Sequence, residues 1–167
     1  MKSLDTSIEF AAEPPLDVIE RVVAARDWSF DRRGDHEMAV QAPGRWCDYS
    51  LYFAWNTDFG AIHFSCAFEM RVPDEKRGSI NALFALINEK LWLGHFGMWA
   101  SDGLPMFQHA LLLRGTRGPT KEQLDDLLET AIHECERFYP AFQFVAWGGR
   151  SPTDAVAMAM IDTVGEA

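Results

Sequence analysis

The sequence has few cysteines, few basic residues and no long apolar run. Its three cysteines, Cys47, Cys66 and Cys135, are far apart and form no Cys-x-x-Cys pair, so a disulfide framework or a cysteine zinc site is not expected. Lys and Arg number 15 against 25 Asp and Glu, a net charge of −10 that disfavours nucleic acids and anionic membranes as partners. No apolar run reaches the length of a signal peptide or a membrane span. We therefore expect a reduced, cytoplasmic protein.

Sequence motifs of enzymes are also missing. There is no Gly-x-Ser-x-Gly nucleophile motif and no glycine-rich phosphate loop. His133-Glu134 begins like the zinc motif His-Glu-x-x-His, but Arg137 occupies the position of the second histidine. We interpret Glu134 and Glu136 as solvated charges beside a buried Cys135. No catalytic residue, metal ligand or cofactor site is predicted.

The composition is that of a folded domain. The chain has 167 residues, of which 48% are hydrophobic and 24% charged, and its twelve Phe and six Trp need a core to pack in. At this length one core suffices. We predict a flexible N-terminal lead-in over residues 1–13 and a single domain over residues 14–167.

Apolar periodicity predicts both strands and helices. A period of two predicts strands over 47–55 and 62–70, and a hairpin around Gly34 precedes them. Helical spacing predicts helices over 14–26, 74–91, 120–146 and 151–165, the third with a capping box formed by Thr120 and Gln123. The order α-β-β-β-β-α-β-β-α-α predicts an α+β fold, an antiparallel β-sheet flanked by α-helices.

The fifth and sixth strands form a hairpin over residues 94–113, with Asp102-Gly103 as a predicted two-residue type I′ turn. In that register His95 faces Ala110, so that His95 and His109 lie on opposite sides of the sheet and cannot share a metal. A three-residue loop would instead place the two histidines directly opposite each other. The Asp-Gly pair favours the shorter loop.

Both faces of this hairpin carry apolar side chains. One face has Trp99, Met106 and Leu112, and the other has Phe96, Met98, Phe107 and Leu111. Helices of the same chain can cover one face, whereas the second needs another layer, a partner subunit or a ligand, because large exposed apolar patches are rare on monomers. The alternative is that the C-terminal helices wrap over it. The candidate partner-binding or dimer surface consists of Phe96, Met98, Trp99, Met106, Phe107 and Leu111.

The sequence resembles the YbjN family, described as bacterial sensory transduction regulators. The resemblance covers about residues 15–150 and is carried by Asn88, Gly94-His95-Phe96, Asp102-Gly103-Leu104, a strand with Phe107 and Leu111, and a long helix that leads to Phe142 and Gly148. It implies a fold similar to that of type III secretion chaperones, and a domain that commonly pairs with itself and binds proteins or peptides. It implies no catalytic residue, because the matching positions are structural.

These observations favour a non-enzymatic, chaperone-like or regulatory domain that binds proteins and forms a homodimer. Its acidic charge is compatible with a basic client segment. The alternative is a small-molecule sensor or enzyme whose pocket is lined by five aromatic side chains, Tyr49, Phe53, Trp55, His95 and Trp99.

Overall fold

The computed structural model describes residues 13–164 and contains six strands and four helices. The strands are β1 (Ser29–Arg33), β2 (Glu37–Ala42), β3 (Tyr49–Asn56), β4 (Ala61–Ala67), β5 (His95–Met98) and β6 (Pro105–Leu112). The helices are α1 (Pro15–Ala25), α2 (Arg77–Asn88), α3 (Lys121–Ala146) and α4 (Pro152–Val164), with a 3₁₀ turn (Asp74–Lys76) before α2. The predicted order of elements is confirmed. Apart from Glu13, the predicted lead-in lies outside the described residues, as does the predicted end of the last helix at Gly165.

The strands form one antiparallel sheet in the order β1-β2-β3-β4-β6-β5. Alternate residues of the central strands, such as Phe53 and Phe64, point into one core to which all four helices contribute. The intervening residues lie on the opposite face, which we call the outer face, where Ser50, His63 and Ala110 are exposed. The period of two in the sequence thus separates a helix-covered face from an outer face.

The strand β4 is shorter than predicted. Its pairing with β6 ends at Ala67, which is opposite Met106. Phe68 donates one further backbone hydrogen bond to the carbonyl of Pro105 at 3.2 Å, and β6 begins at that proline. Beyond this point the chain has no strand partner, although Met70 remains buried. The alternation of residues 62–70 therefore predicts correctly which side chains are buried, but the strand predicted from it is too long.

The longest helix begins with the predicted capping box. The Thr120 hydroxyl accepts the Gln123 N–H at 3.0 Å, and the Gln123 side chain accepts the Thr120 N–H at 2.9 Å. The helix then continues through Pro140 to Ala146, as the apolar spacing predicts. No helix within residues 13–164 is both long and apolar enough to cross a membrane.

The interpretation of Glu134 and Glu136 as solvated charges is wrong. Glu134 is 7% exposed and lies 3.6 Å from the Arg137 guanidinium. Glu136 accepts the Tyr49 hydroxyl at 3.0 Å and the Arg45 backbone N–H at 2.7 Å. These bonds fasten the loop between β2 and β3 onto α3, a tertiary role that helical periodicity does not show.

Candidate functional site

The β5–β6 hairpin has a longer loop than predicted. Its register pairs Met98 with Pro105, so that residues 99–104 form a six-residue connection. The N–H groups of Asp102 and Gly103 both turn back to the Trp99 carbonyl, at 3.1 and 3.0 Å. The prediction of a two-residue type I′ turn is therefore wrong.

Tertiary contacts explain the longer loop. The Gly103 carbonyl accepts the backbone N–H of Val72 at 2.8 Å. The Arg77 guanidinium, at the start of α2, donates to the carbonyl of Ala100. The segment that joins β4 to α2 and the first residue of α2 thus each contact the loop, and these contacts override the local preference of the Asp-Gly pair.

The two histidines lie on opposite faces of the sheet, as predicted. His95 pairs with Gln108 on the outer face, whereas His109 pairs with Phe64 on the core face. The observed register differs from the predicted one by two residues, which leaves the side chains of both strands on their predicted faces, whereas Trp99 lies in the loop instead of on a strand face. Burial, followed by the nearby charge of His95, lowers the pKa of His109.

The structure divides the six predicted surface residues between core and surface. Phe96 and Phe107 are 2% and 0% exposed, so their assignment to a partner surface is corrected: they pack edge to face in the core. Met98 and Leu111 are half-buried against the same core. The remaining two lie away from this core, with Met106 9% exposed on the outer face and Trp99 59% exposed in the hairpin loop.

The exposed apolar side chains of this region are Trp92, Trp99 and Leu112, with exposed fractions of 78%, 59% and 78%. Trp92 precedes β5, Trp99 follows it, and Leu112 is the last residue of β6. Trp92 and Leu112 are not among the six predicted surface residues. Leu112 shares its hairpin face with Met106, and that alternation was the signal that could have found it.

The β5 strand is held in place by groups from the end of α2. The Asn88 side chain bonds both backbone groups of Phe96, donating to its carbonyl at 3.0 Å and accepting its N–H at 2.7 Å. Gly94 has a φ of +67°, and a Cβ at this position would lie 2.3 Å from the Phe107 ring. Only glycine fits this position, because both the backbone angle and the close ring exclude a side chain.

The predicted aromatic-lined pocket is not formed. Tyr49 and Phe53 are 0% exposed in the core, and Trp55 lies beside them on the core face. His95 is on the outer face, and Trp99 is in the loop beyond β5. The sheet separates Tyr49, Phe53 and Trp55 from His95, so the five side chains line no common cavity.

The structure brings together few groups suited to catalysis. Cys66 and Cys135 face each other in the core with their Sγ atoms 3.7 Å apart. Burial raises the pKa of Cys135 and of the half-buried Cys47, which disfavours the reactive thiolate. Within residues 13–164 no three His, Cys, Asp or Glu side chains are grouped as metal ligands.

The comparison with known families agrees with this geometry. The family model YbjN, described as "Putative bacterial sensory transduction regulator", matches residues 15–144. The chain belongs to the YbjN family. Three of the residues that carry the sequence resemblance have structural roles in or beside the hairpin. Asn88 bonds the backbone of Phe96, Gly94 leaves space for the Phe107 ring, and Gly103 has a φ of +64° in the loop. Membership supports a regulatory or sensory-transduction role.

A solved structure shows the same fold. The crystal structure of YbjN from E. coli, described as a putative transcription regulator, superposes with a TM-score of 0.52 at 16% sequence identity. The match covers 74% of this chain and 87% of the E. coli chain. No curated protein matches the sequence. At this identity the crystal structure establishes the fold, and the role of this chain is argued from its own surface.

Proposed function

We propose that this chain is a non-catalytic, cytoplasmic regulatory domain that acts by binding another protein through the β5–β6 hairpin. The observation that carries the proposal is the exposure of Trp99 and Leu112 on this hairpin and of Trp92 just before it, at 59% or more each. Exposed apolar groups of this size cost free energy in water unless a partner covers them. Tryptophan is also enriched among the residues that dominate binding energy at interfaces.

Capture of partners from a lysate of the source organism, read by mass spectrometry, tests this proposal. The variants Trp99→Glu and Leu112→Glu place a charge on the hairpin, and both are expected to lose proteins that the native chain retains. Ile161→Glu is the matched control, because Ile161 is 70% exposed on α4 and outside the hairpin. Melting temperatures within a few degrees of the native chain would show that all three variants fold.

Self-association belongs to the same proposal and has its own measurement. Light scattering of the native chain at tens of micromolar, beside the same two hairpin variants, reports whether the hairpin joins two copies. A monomer in solution, together with no protein that is captured by the native chain and lost by the variants, would contradict binding through this surface.

A further inference from the structure

One side of β6 lacks a strand neighbour over half of its length. β6 has eight residues and β5 only four, and their pairing stops where His95 meets Gln108. Residues 109–112 of β6 continue to pair with β4 on the other side. Within residues 13–164 no strand lies beside them on the side away from β4. We call this side of residues 109–112 the open edge.

The backbone groups at the open edge can be assigned from the ladder with β4. Leu113 donates its N–H to Gly60 at 2.8 Å, and the Pro105 carbonyl accepts from Phe68, so the odd-numbered residues of β6 direct their hydrogen bonds to β4. These directions alternate along an antiparallel strand. Ala110 and Leu112 therefore point their N–H and C=O groups away from β4, into the open edge.

The other edges of the sheet carry protective features. Asn88 occupies both outward backbone groups of Phe96 on β5. The opposite edge strand, β1, exposes the charged Asp31 and Arg33, which discourage pairing with another chain. The open edge has neither device: Ala110 is small and exposed, and Leu112 is apolar and 78% exposed.

We propose that the open edge is a docking site for an extended segment of a partner protein, which adds to the sheet as a strand beside residues 109–112. Such a strand would take up the four outward N–H and C=O groups of Ala110 and Leu112, and an apolar residue of the segment would pack on the Leu112 side chain. This inference rests on the proposed protein-binding function and specifies how the partner is held.

The local charge favours an acidic segment. The chain as a whole carries a net charge of −10, yet the sequence contains no Asp or Glu between Gly103 and Lys121. Arg114 and Arg117 are exposed directly after β6, and they outnumber Asp58, the acidic residue of the adjacent β3–β4 loop, which shares a surface pocket with Arg114. The basic client expected from the total charge therefore does not suit this edge, where a segment with acidic and apolar side chains is complementary.

A second copy of this chain is a weaker occupant. Stable dimers bury about 1,200 Å² of surface or more. Pairing along an edge of only four residues contributes a small part of such an area. Strand addition of a short segment needs only main-chain hydrogen bonds and one or two side-chain contacts. The length of the open edge therefore favours a peptide segment over a protein dimer.

Amide hydrogen exchange of the full chain, followed by NMR, tests whether the edge is open. The amides of Ala110 and Leu112 are expected to exchange about 100-fold or more faster than those of His109 and Leu111, which bond to β4. Equal protection at all four residues would overturn the proposal. Protection that grows with protein concentration would identify a second copy, and protection independent of concentration would identify another part of the same chain.

Peptide selection tests the occupant. A random dodecapeptide library displayed on phage is selected against the full chain, and the selected peptides are expected to combine acidic and apolar residues and to protect the Ala110 and Leu112 amides. Ala110→Pro removes one outward N–H without touching the ladder to β4, and proline is tolerated at such edge positions. We expect it to weaken peptide binding at least tenfold, whereas Ala110→Val, which keeps the N–H, retains binding.

One further measurement keeps the outcomes distinct. The selected peptide with alternate backbone amides N-methylated blocks the same hydrogen bonds without changing the protein, so it decides the question if Ala110→Pro does not fold. Peptides or captured partners that bind regardless of Ala110→Pro and of N-methylation would overturn strand addition and leave the proposed function intact. An exposed edge with no selected peptide, and no partner in the capture experiment, would overturn both.

Discussion

The Asn88 side chain forms two hydrogen bonds with the backbone of Phe96, with its Nδ2 3.0 Å from the carbonyl oxygen and its Oδ1 2.7 Å from the nitrogen. A carboxamide presents a donor and an acceptor side by side, as the backbone of a neighbouring strand does. Asn88 therefore occupies the N–H and C=O groups of Phe96 that another strand would otherwise bond. The same contact ties the C-terminal end of α2 to the sheet.

Asn88→Ala is expected to lower the free energy of unfolding by about 1–3 kcal/mol, because it leaves both backbone groups of the buried Phe96 without a partner. Urea denaturation followed by tryptophan fluorescence measures the change. Asn81→Ala is the control, since Asn81 is exposed on the same helix. Equal effects of the two substitutions would contradict a specific role for the bonds to Phe96.

Gly94→Ala and Gly115→Ala separate a steric clash from backbone strain. Both glycines have positive φ, +67° and +81°, so alanine costs about 1–2 kcal/mol of stability at either position. At Gly94 the new Cβ would also meet the Phe107 ring at 2.3 Å, whereas at Gly115 nothing lies within 4 Å. We expect Gly94→Ala to cost at least about 1 kcal/mol more, measured by urea denaturation. Equal losses would show that the ring moves away freely.

The bond between the Tyr49 hydroxyl and the Glu136 carboxylate is expected to stabilise the fold. Burial, followed by this bond to Glu136, raises the pKa of Tyr49, so the phenol stays protonated and donates. A double-mutant cycle with Tyr49→Phe and Glu136→Ala should give a coupling free energy of about 1–2 kcal/mol. A coupling near zero, with each single substitution still destabilising, would mean that Glu136 acts through the Arg45 backbone instead.

His109 should make the domain less stable in mild acid. Burial lowers its pKa in the folded protein, so the folded state favours the neutral ring. The unfolded chain binds a proton near pH 6.5, and stability that is fully present above this pH is lost as the pH falls below it. Melting temperatures at pH 7.5 and 5.5 measure the loss, which should be smaller in His109→Gln. An NMR titration that places the His109 pKa above 6.5 would contradict the sign.

Features that depend on neighbouring residues were predictable from the sequence. The alternation around Phe53 and Phe64 fixed which side chains point into the core, because the pleat of a strand has a period of two. The capping box of Thr120 and Gln123 placed the start of the longest helix. The separation of His95 from His109 was predictable despite the wrong loop length, since a shift of two residues preserves the face of every side chain.

The sequence by itself therefore determined the order of the elements, the inward faces of the central strands and the family. Only the tertiary structure decided which apolar face of the hairpin its own helices cover, because that depends on contacts between elements distant in the chain, such as those of Phe96 with Phe138 and Phe142. It also decided the hairpin register, through Arg77 and Val72, and left β5 too short to cover residues 109–112. Local propensity carries no record of these contacts between distant parts of the chain.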